Sequence, residues 1–145
     1  MSIRELLDLF FDGKATAKSH MKNLIEMAVA DGRFDPEEQS LLSRIAKKNN
    51  ISESQLQKMR DNPAEIKFEL PTDKRERFHQ FYDLVHMMSV DKSIHPEEMK
   101  LCNLYAVRFG YKRENAMELI ETIQSNIKYG QSHDETMSRV GLLIS

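Results

Sequence analysis

One acidic motif occurs twice in this chain, and its spacing constrains the fold more than any other feature. Residues 30–38 read Ala30-Asp31-Gly32-Arg33-Phe34-Asp35-Pro36-Glu37-Glu38. Residues 90–98 repeat the pattern in weaker form as Val90-Asp91-Lys92-Ser93-Ile94-His95-Pro96-Glu97-Glu98. Asp91 follows Asp31 by 60 residues, so two copies of a helix–acidic turn–helix unit make most of the chain, over about 21–60 and 81–120. Each unit needs a helix that stops, a turn and a helix that starts, and the first copy supplies all three. Met21, Leu24, Ile25 and Ala28 form the apolar stripe of the incoming helix. Gly32 can enter the left-handed region and stop it, and Phe34 is expected to turn inward. Asp35 is a good N-cap, Pro36 suits the first helical position and Glu38 completes a capping box. The outgoing helix runs over 36–48 through Leu41, Leu42, Ile45 and Ala46 and ends at Asn49-Asn50.

In the second copy Lys92 stands in place of Gly32, where a left-handed turn costs on the order of 1 kcal/mol. His95 replaces the Asp35 cap. Pro96, Glu97 and Glu98 remain, Leu101 and Ala106 match Leu41 and Ala46, and Met87 matches Met27.

The acidic turn has two physical readings. Asp35 to Glu38 are accounted for by a capped helical hairpin, because carboxylates are favoured at a helix N-terminus. Asp31 fits that reading less well, since it would sit at a helix C-terminus. Asp31, Asp35, Glu37 and Glu38 also repel one another, and a divalent cation would relieve the repulsion. The turn is not an EF-hand: counting from Asp31, the sixth and twelfth positions hold Pro36 and Leu42 rather than Gly and Glu.

The Ala30-Asp31-Gly32 triplet, an apolar residue two places on and a Glu four places after that are similar to the signature of the TerB-like family of tellurite-resistance proteins. The resemblance extends over roughly residues 15 to 128. It implies an all-helical fold whose acidic turns are proposed to bind a divalent metal. Carried over residue by residue, it points to Asp31, Asp35 and Glu38, with Asp91 and Glu98 from the second copy. Oxygen ligands favour calcium or magnesium. Lys92 and His95 depart from the pattern and weaken the second half-site.

Composition sets the remaining bounds. A chain of 145 residues is the size of one domain. A net charge of −2 offers no basic field for nucleic acid. No apolar run is long enough to span a bilayer, Met1 to Glu5 lack the apolar core of a signal peptide, and the single Cys excludes an internal disulfide. A cytoplasmic protein is the resulting expectation.

Along the chain, Ser2 is expected to cap a short helix that carries Leu6, Leu7, Phe10 and Phe11 and ends at Gly13, with a second helix from about Lys14 to Asp31. After the helix at 36–48, Ser52 caps the next one with Gln55 as its box partner, and Leu56 and Met59 face inward. Asp61-Asn62-Pro63 breaks the chain, and 63–71 link the copies with one helical turn at 64–68. Thr72 is expected to cap a long helix to about Val90, with a core stripe of Phe78, Phe81, Tyr82, Val85 and Met88. Helices at 96–109 and about 113–127 follow, separated at Gly110. The second is apolar at Ala116, Leu119, Ile120 and Ile123. After a turn at 129–131, Ser132 caps a last helix with Glu135 as partner, and Val140, Leu142 and Leu143 close the core.

His79, Asp83 and His86 share one helix face, a spacing that suits a transition metal, but they flank the apolar stripe and read as a solvated face. Cys102 reads as a buried, inert thiol, and the Met residues as core filling. The predicted architecture is thus a single all-α domain of seven or eight helices in two similar halves. The function expected is non-enzymatic: a TerB-like module that binds a divalent metal and another protein, neither nucleic acid nor membrane. The alternative is a purely structural helical adaptor without metal. An enzyme ranks last, because no nucleophile–base pair or phosphate loop is visible.

Overall fold

The structure, a computed structural model, describes residues 3–28, 36–62, 65–90 and 96–145; over 4–15 it describes the backbone. Among these residues there are seven helices and no strand: α1 (Ile3–Ala28), α2 (Pro36–Lys48), α3 (Glu53–Asp61), α4 (Lys74–Ser89), α5 (Pro96–Arg108), α6 (Arg113–Lys128) and α7 (His133–Arg139). The predicted all-α class is the one observed.

Gly13 does not end a helix. α1 runs through it without a break for 26 residues. A helical Gly costs only about 0.5–1 kcal/mol relative to Ala, and the Lys14-Ala15-Thr16-Ala17 stretch beyond it can carry the helix on. The C-terminal half of α1 is enclosed on nearly every side: Ser19, His20, Met21, Asn23, Leu24, Ile25, Met27 and Ala28 are all buried. It packs against α2, α3, α4 and α5, while α4 packs against α1, α2, α5, α6 and α7. These two helices are the centre of the core. Phe78, Phe81, Tyr82, Val85 and Met88 face inward as their spacing predicted, joined by Leu84 and Met87.

The spacing of 60 residues recurs in the structure. α2 and α5 begin and end at positions offset by that number, as 36 to 96 and 48 to 108. Met21, Leu24, Ile25, Met27 and Ala28 of α1 and Phe81, Leu84, Val85, Met87 and Met88 of α4 occupy equivalent positions and are all buried. The helix ends repeat as well. Past α2, Asn50 adopts φ 58°, Ile51 N–H donates to Ala46 O (2.9 Å) and Asn50 N–H to Lys47 O (3.2 Å). Past α5, Gly110 adopts φ 93°, Tyr111 N–H donates to Ala106 O (3.0 Å) and Gly110 N–H to Val107 O (3.0 Å). Both are Schellman motifs, in which a left-handed residue lets two N–H groups turn back onto otherwise unsatisfied carbonyls. Ile51 and Tyr111, the residues after the turn, are buried. This arrangement is compatible with two similar halves.

Ser52 and Ser132 cap α3 and α7 in capping boxes with Gln55 and Glu135, as predicted. At α4 the cap is Asp73 rather than Thr72: Asp73 Oδ1 accepts from Arg75 N–H at 2.8 Å, and the helix begins at Lys74. A carboxylate there also meets the positive end of the helix dipole.

The segment between α3 and α4 is held to the core at several points. Glu69 N–H donates to Ser19 Oγ (2.8 Å), Lys22 Nζ donates to Ile66 O (2.9 Å), and the Arg108 guanidinium lies 3.9 Å from the Phe68 ring centroid. Val140 is fully buried, but Leu142 is 91% exposed and does not close the core, because the helix ends at Arg139 and the chain turns outward.

Candidate functional site

Glu38 and Glu98 are the acidic-turn residues whose side chains the structure describes among the five expected ligands. Asp31, Asp35 and Asp91 lie outside the described residues, as do Gly32, Phe34, Lys92 and His95. Glu38 and Glu98 occupy the third position of α2 and α5, and each is 2% exposed. Their neighbours Glu37 and Glu97 are exposed, so each Pro-Glu-Glu sends one carboxylate inward and one outward. Helical spacing explains the choice. Glu38 shares a face with Leu41, Leu42 and Ile45, and Glu98 with Cys102 and Tyr105, all of which face the core or its edge. Removing a carboxylate from water costs several kcal/mol unless other charges or hydrogen bonds compensate, and the helix N-terminus supplies part of that. By residue type alone, Glu38, Glu98 and the three Asp carry the carboxylate oxygens that a hard cation takes. Among the described residues, no group of three or more His, Cys, Asp or Glu side chains is placed to hold a metal.

Burial and the nearby Glu98 carboxylate push the Cys102 thiol well above its ordinary range, which keeps it protonated and unreactive. Tyr105, one turn on, donates its phenolic hydrogen to Glu26 on α1. Burial, then that bond, raises its pKa far above the usual phenol value.

The face of α4 that carries His79, Asp83 and His86 is not solvated as expected. α1 and α7 cover it at Asp83 and α7 covers it at His79, while His86 is half-buried beside Tyr82. Asp83 Oδ2 lies 2.9 Å from His20 Nε2, and Asp83 Oδ1 lies 3.0 Å from His133 Nε2. An ionised carboxylate can only accept, so both ring nitrogens donate. Burial alone would raise the Asp83 carboxyl; the bonds from His133 and His20 outweigh it and hold the group well below the usual carboxylate range. His79 Nε2 lies 3.2 Å from Asp134 Oδ1, and Arg75 grips the same carboxylate through Nε and Nη2 at 3.0 and 2.7 Å. The Arg75 and His79 bonds lower Asp134 to about 2. The His79 and His133 rings are tilted against each other at 4.7 Å, and His133 rests on Tyr82 at 4.0 Å. The two carboxylates, Asp83 and Asp134, are each held by two side chains, and Asp83 joins α4 to α1 through His20 and to α7 through His133, which marks the cluster as a tie between three helices. The i, i+4, i+7 pattern on α4 located half of it; His20 and His133 are 63 and 50 residues away from Asp83, and no local signal connects them.

No curated protein and no solved structure matches the chain. The family comparison gives a match whose ends coincide with the first residue of α1 and the last of α3, so it contains the first acidic turn and stops short of the second. That is a shorter span than the resemblance suggested. Over residues 3–61 this all-helical chain matches the family described as tellurite resistance protein TerB, and that segment is TerB-like.

Proposed function

We propose that the chain is a single non-enzymatic TerB-like module, over residues 1–145, whose acidic inter-helix turns bind a divalent cation. The ligands are Asp31, Asp35 and Glu38, with Asp91 and Glu98 from the second copy, and calcium or magnesium is the matching ion. The module serves a tellurite-type stress response or a protein interaction. The observation that carries the reading is the inward placement of Glu38 and Glu98 at equivalent positions of α2 and α5. Glu37 and Glu97, in the same first turns, stay exposed, so a place near the helix N-terminus does not by itself require burial. A carboxylate that reaches inward at both turns gains from a cation beside it. The TerB match over the first turn supports the same reading.

The first copy dominates binding, because Gly32 allows the backbone to curl around an ion while Lys92 brings an ammonium into the second turn. Calorimetry and thermal melts of the metal-free protein test this with millimolar calcium, magnesium or manganese. Binding raises the melting temperature through ligand linkage. Asp31→Asn or Glu38→Gln abolishes the rise, and Asp91→Asn reduces it in part. No heat and no thermal shift with any of the three ions would leave a capped hairpin.

The second reading is a helical adaptor that binds a partner without metal. It is favoured by the partly exposed apolar residues Leu104, Val107 and Met117 on α5 and α6. A pull-down from the native host with and without chelator separates the two readings.

A further inference from the structure

Six large apolar side chains are exposed among the described residues, and two of them, Leu104 (55%) and Val107 (39%), lie together on one face of α5. Between these helices is a groove of about 380 Å³ lined by Lys100, Asn103, Leu104, Val107, Arg113 and Ala116. The first four stand at i, i+3, i+4 and i+7, a single face of α5. That face is turned away from the core, since Cys102, Tyr105 and Ala106 on the other side are buried. The turn at 109–112, fixed by Gly110, folds α6 back alongside and brings Arg113 and Ala116 to the same groove.

The charge in this groove is of one sign. Lys100 and Arg113 are among its lining residues and no acid is, although the chain as a whole has more acidic than basic residues. Neither cation is ion-paired among the described residues. An apolar floor with two unpaired cations complements a segment that is apolar on one face and acidic beside it. Two half-exposed side chains are a small apolar area for a stable dimer, whose interfaces are larger and more apolar. They suit a helix laid in a groove, anchored by a few side chains and steered by charge.

We propose that the groove between α5 and α6 docks an amphipathic helix of a partner protein, with acidic residues flanking its apolar stripe. The apolar anchors sit against Leu104, Val107 and Ala116, and the acids pair with Lys100 and Arg113. This docking does not depend on a metal at the acidic turns.

The test is selection of a displayed random-peptide library on the full chain in chelator-containing buffer. The enriched peptides are expected to carry apolar residues at helical spacing and Asp or Glu beside them. Titration of a synthesised, enriched peptide is expected to shift the amide resonances of α5 and α6. Its affinity is expected to fall at least tenfold in the K100E/R113E variant and in Leu104→Asp, and to weaken with added salt. Circular dichroism confirms that these surface variants fold. Three results would overturn the proposal: no enrichment, enriched peptides without acids, or affinity unchanged by K100E/R113E. Dimerisation in sedimentation velocity that Leu104→Asp abolishes would also overturn it, by assigning the groove to a second copy of the chain.

Discussion

His133 Nε2 donates to Asp83 Oδ1 at 3.0 Å and so ties α7 to α4 across 50 residues of chain. α7 is only seven residues long, too short to be stable as an isolated helix. Its place is fixed by this bond, by Asp134 on Arg75 and His79, by Tyr82 Oη donating to Gln131 O at 3.1 Å, and by the burial of Val140.

Asp83→Ala is therefore expected to destabilise the protein by about 3 kcal/mol, because it removes two charge-assisted hydrogen bonds and leaves the buried His20 without its acceptor. His133→Ala is expected to cost about 1 kcal/mol, since it removes one of the two and its ring is partly exposed. Urea denaturation measures both. Equal and small losses would show that the cluster does not hold the helices together.

Stability is expected to depend on pH in two windows. The folded Asp83 carboxyl lies below its unfolded value of about 3.9, so its stabilisation is complete above that pH and is lost as pH falls through the folded value. The His86 pKa is lowered as well, which for a basic group means that folding disfavours the charged form. Burial first, then Arg44, His133 and Lys48, lower its pKa against the pull of Asp83. Below about pH 6.5 the unfolded chain binds the proton that folded His86 resists, so stability declines on acidification there too. Urea midpoints from pH 8 to pH 2 check this. Asp83→Asn should flatten the lower window and His86→Gln the upper one.

Three glycines are expected to respond to Ala in different directions. Gly110 and Gly130 have φ of 93° and 74°, so Ala at either costs about 1 kcal/mol or more from the backbone alone. A Cβ at Gly110 would rest 3.6 Å from Arg77 Nη1, an ordinary contact, which leaves conformation as the cause. Gly13, inside α1, has no such constraint, and its replacement by Ala should stabilise by up to about 1 kcal/mol on helix propensity. Thermal melts of the three variants give the signs.

Cys102 is fully buried, and its thiol is held protonated. A thiol reagent such as Ellman's should leave the native protein unmodified and react with one thiol per chain in denaturant. Rapid native modification would mean that the core at α5 opens readily.

The helices and their ends were legible in the sequence because the signals are local. Ser52 with Gln55 and Ser132 with Glu135 each satisfy orphan N–H groups within one turn, and Gly110 and Gly130 mark chain reversals that need a left-handed residue. The apolar stripes on α1 and α4 were legible for the same reason. Local signals failed where two of them competed: Gly13 was a weaker stop than its neighbours were helix formers, and Asp73 was a better cap than Thr72. What sequence order could not supply was which polar faces meet. His79, Asp83 and His86 read as solvated because nothing near them in the chain covers them; in three dimensions α1 and α7 cover Asp83 and α7 covers His79. The same holds for Glu38 and Glu98. Their places in the helices follow from Pro36 and Pro96, but their removal from water follows from how α2 and α5 pack. Capping is decided by a few adjacent residues, whereas burial is decided by all the helices together.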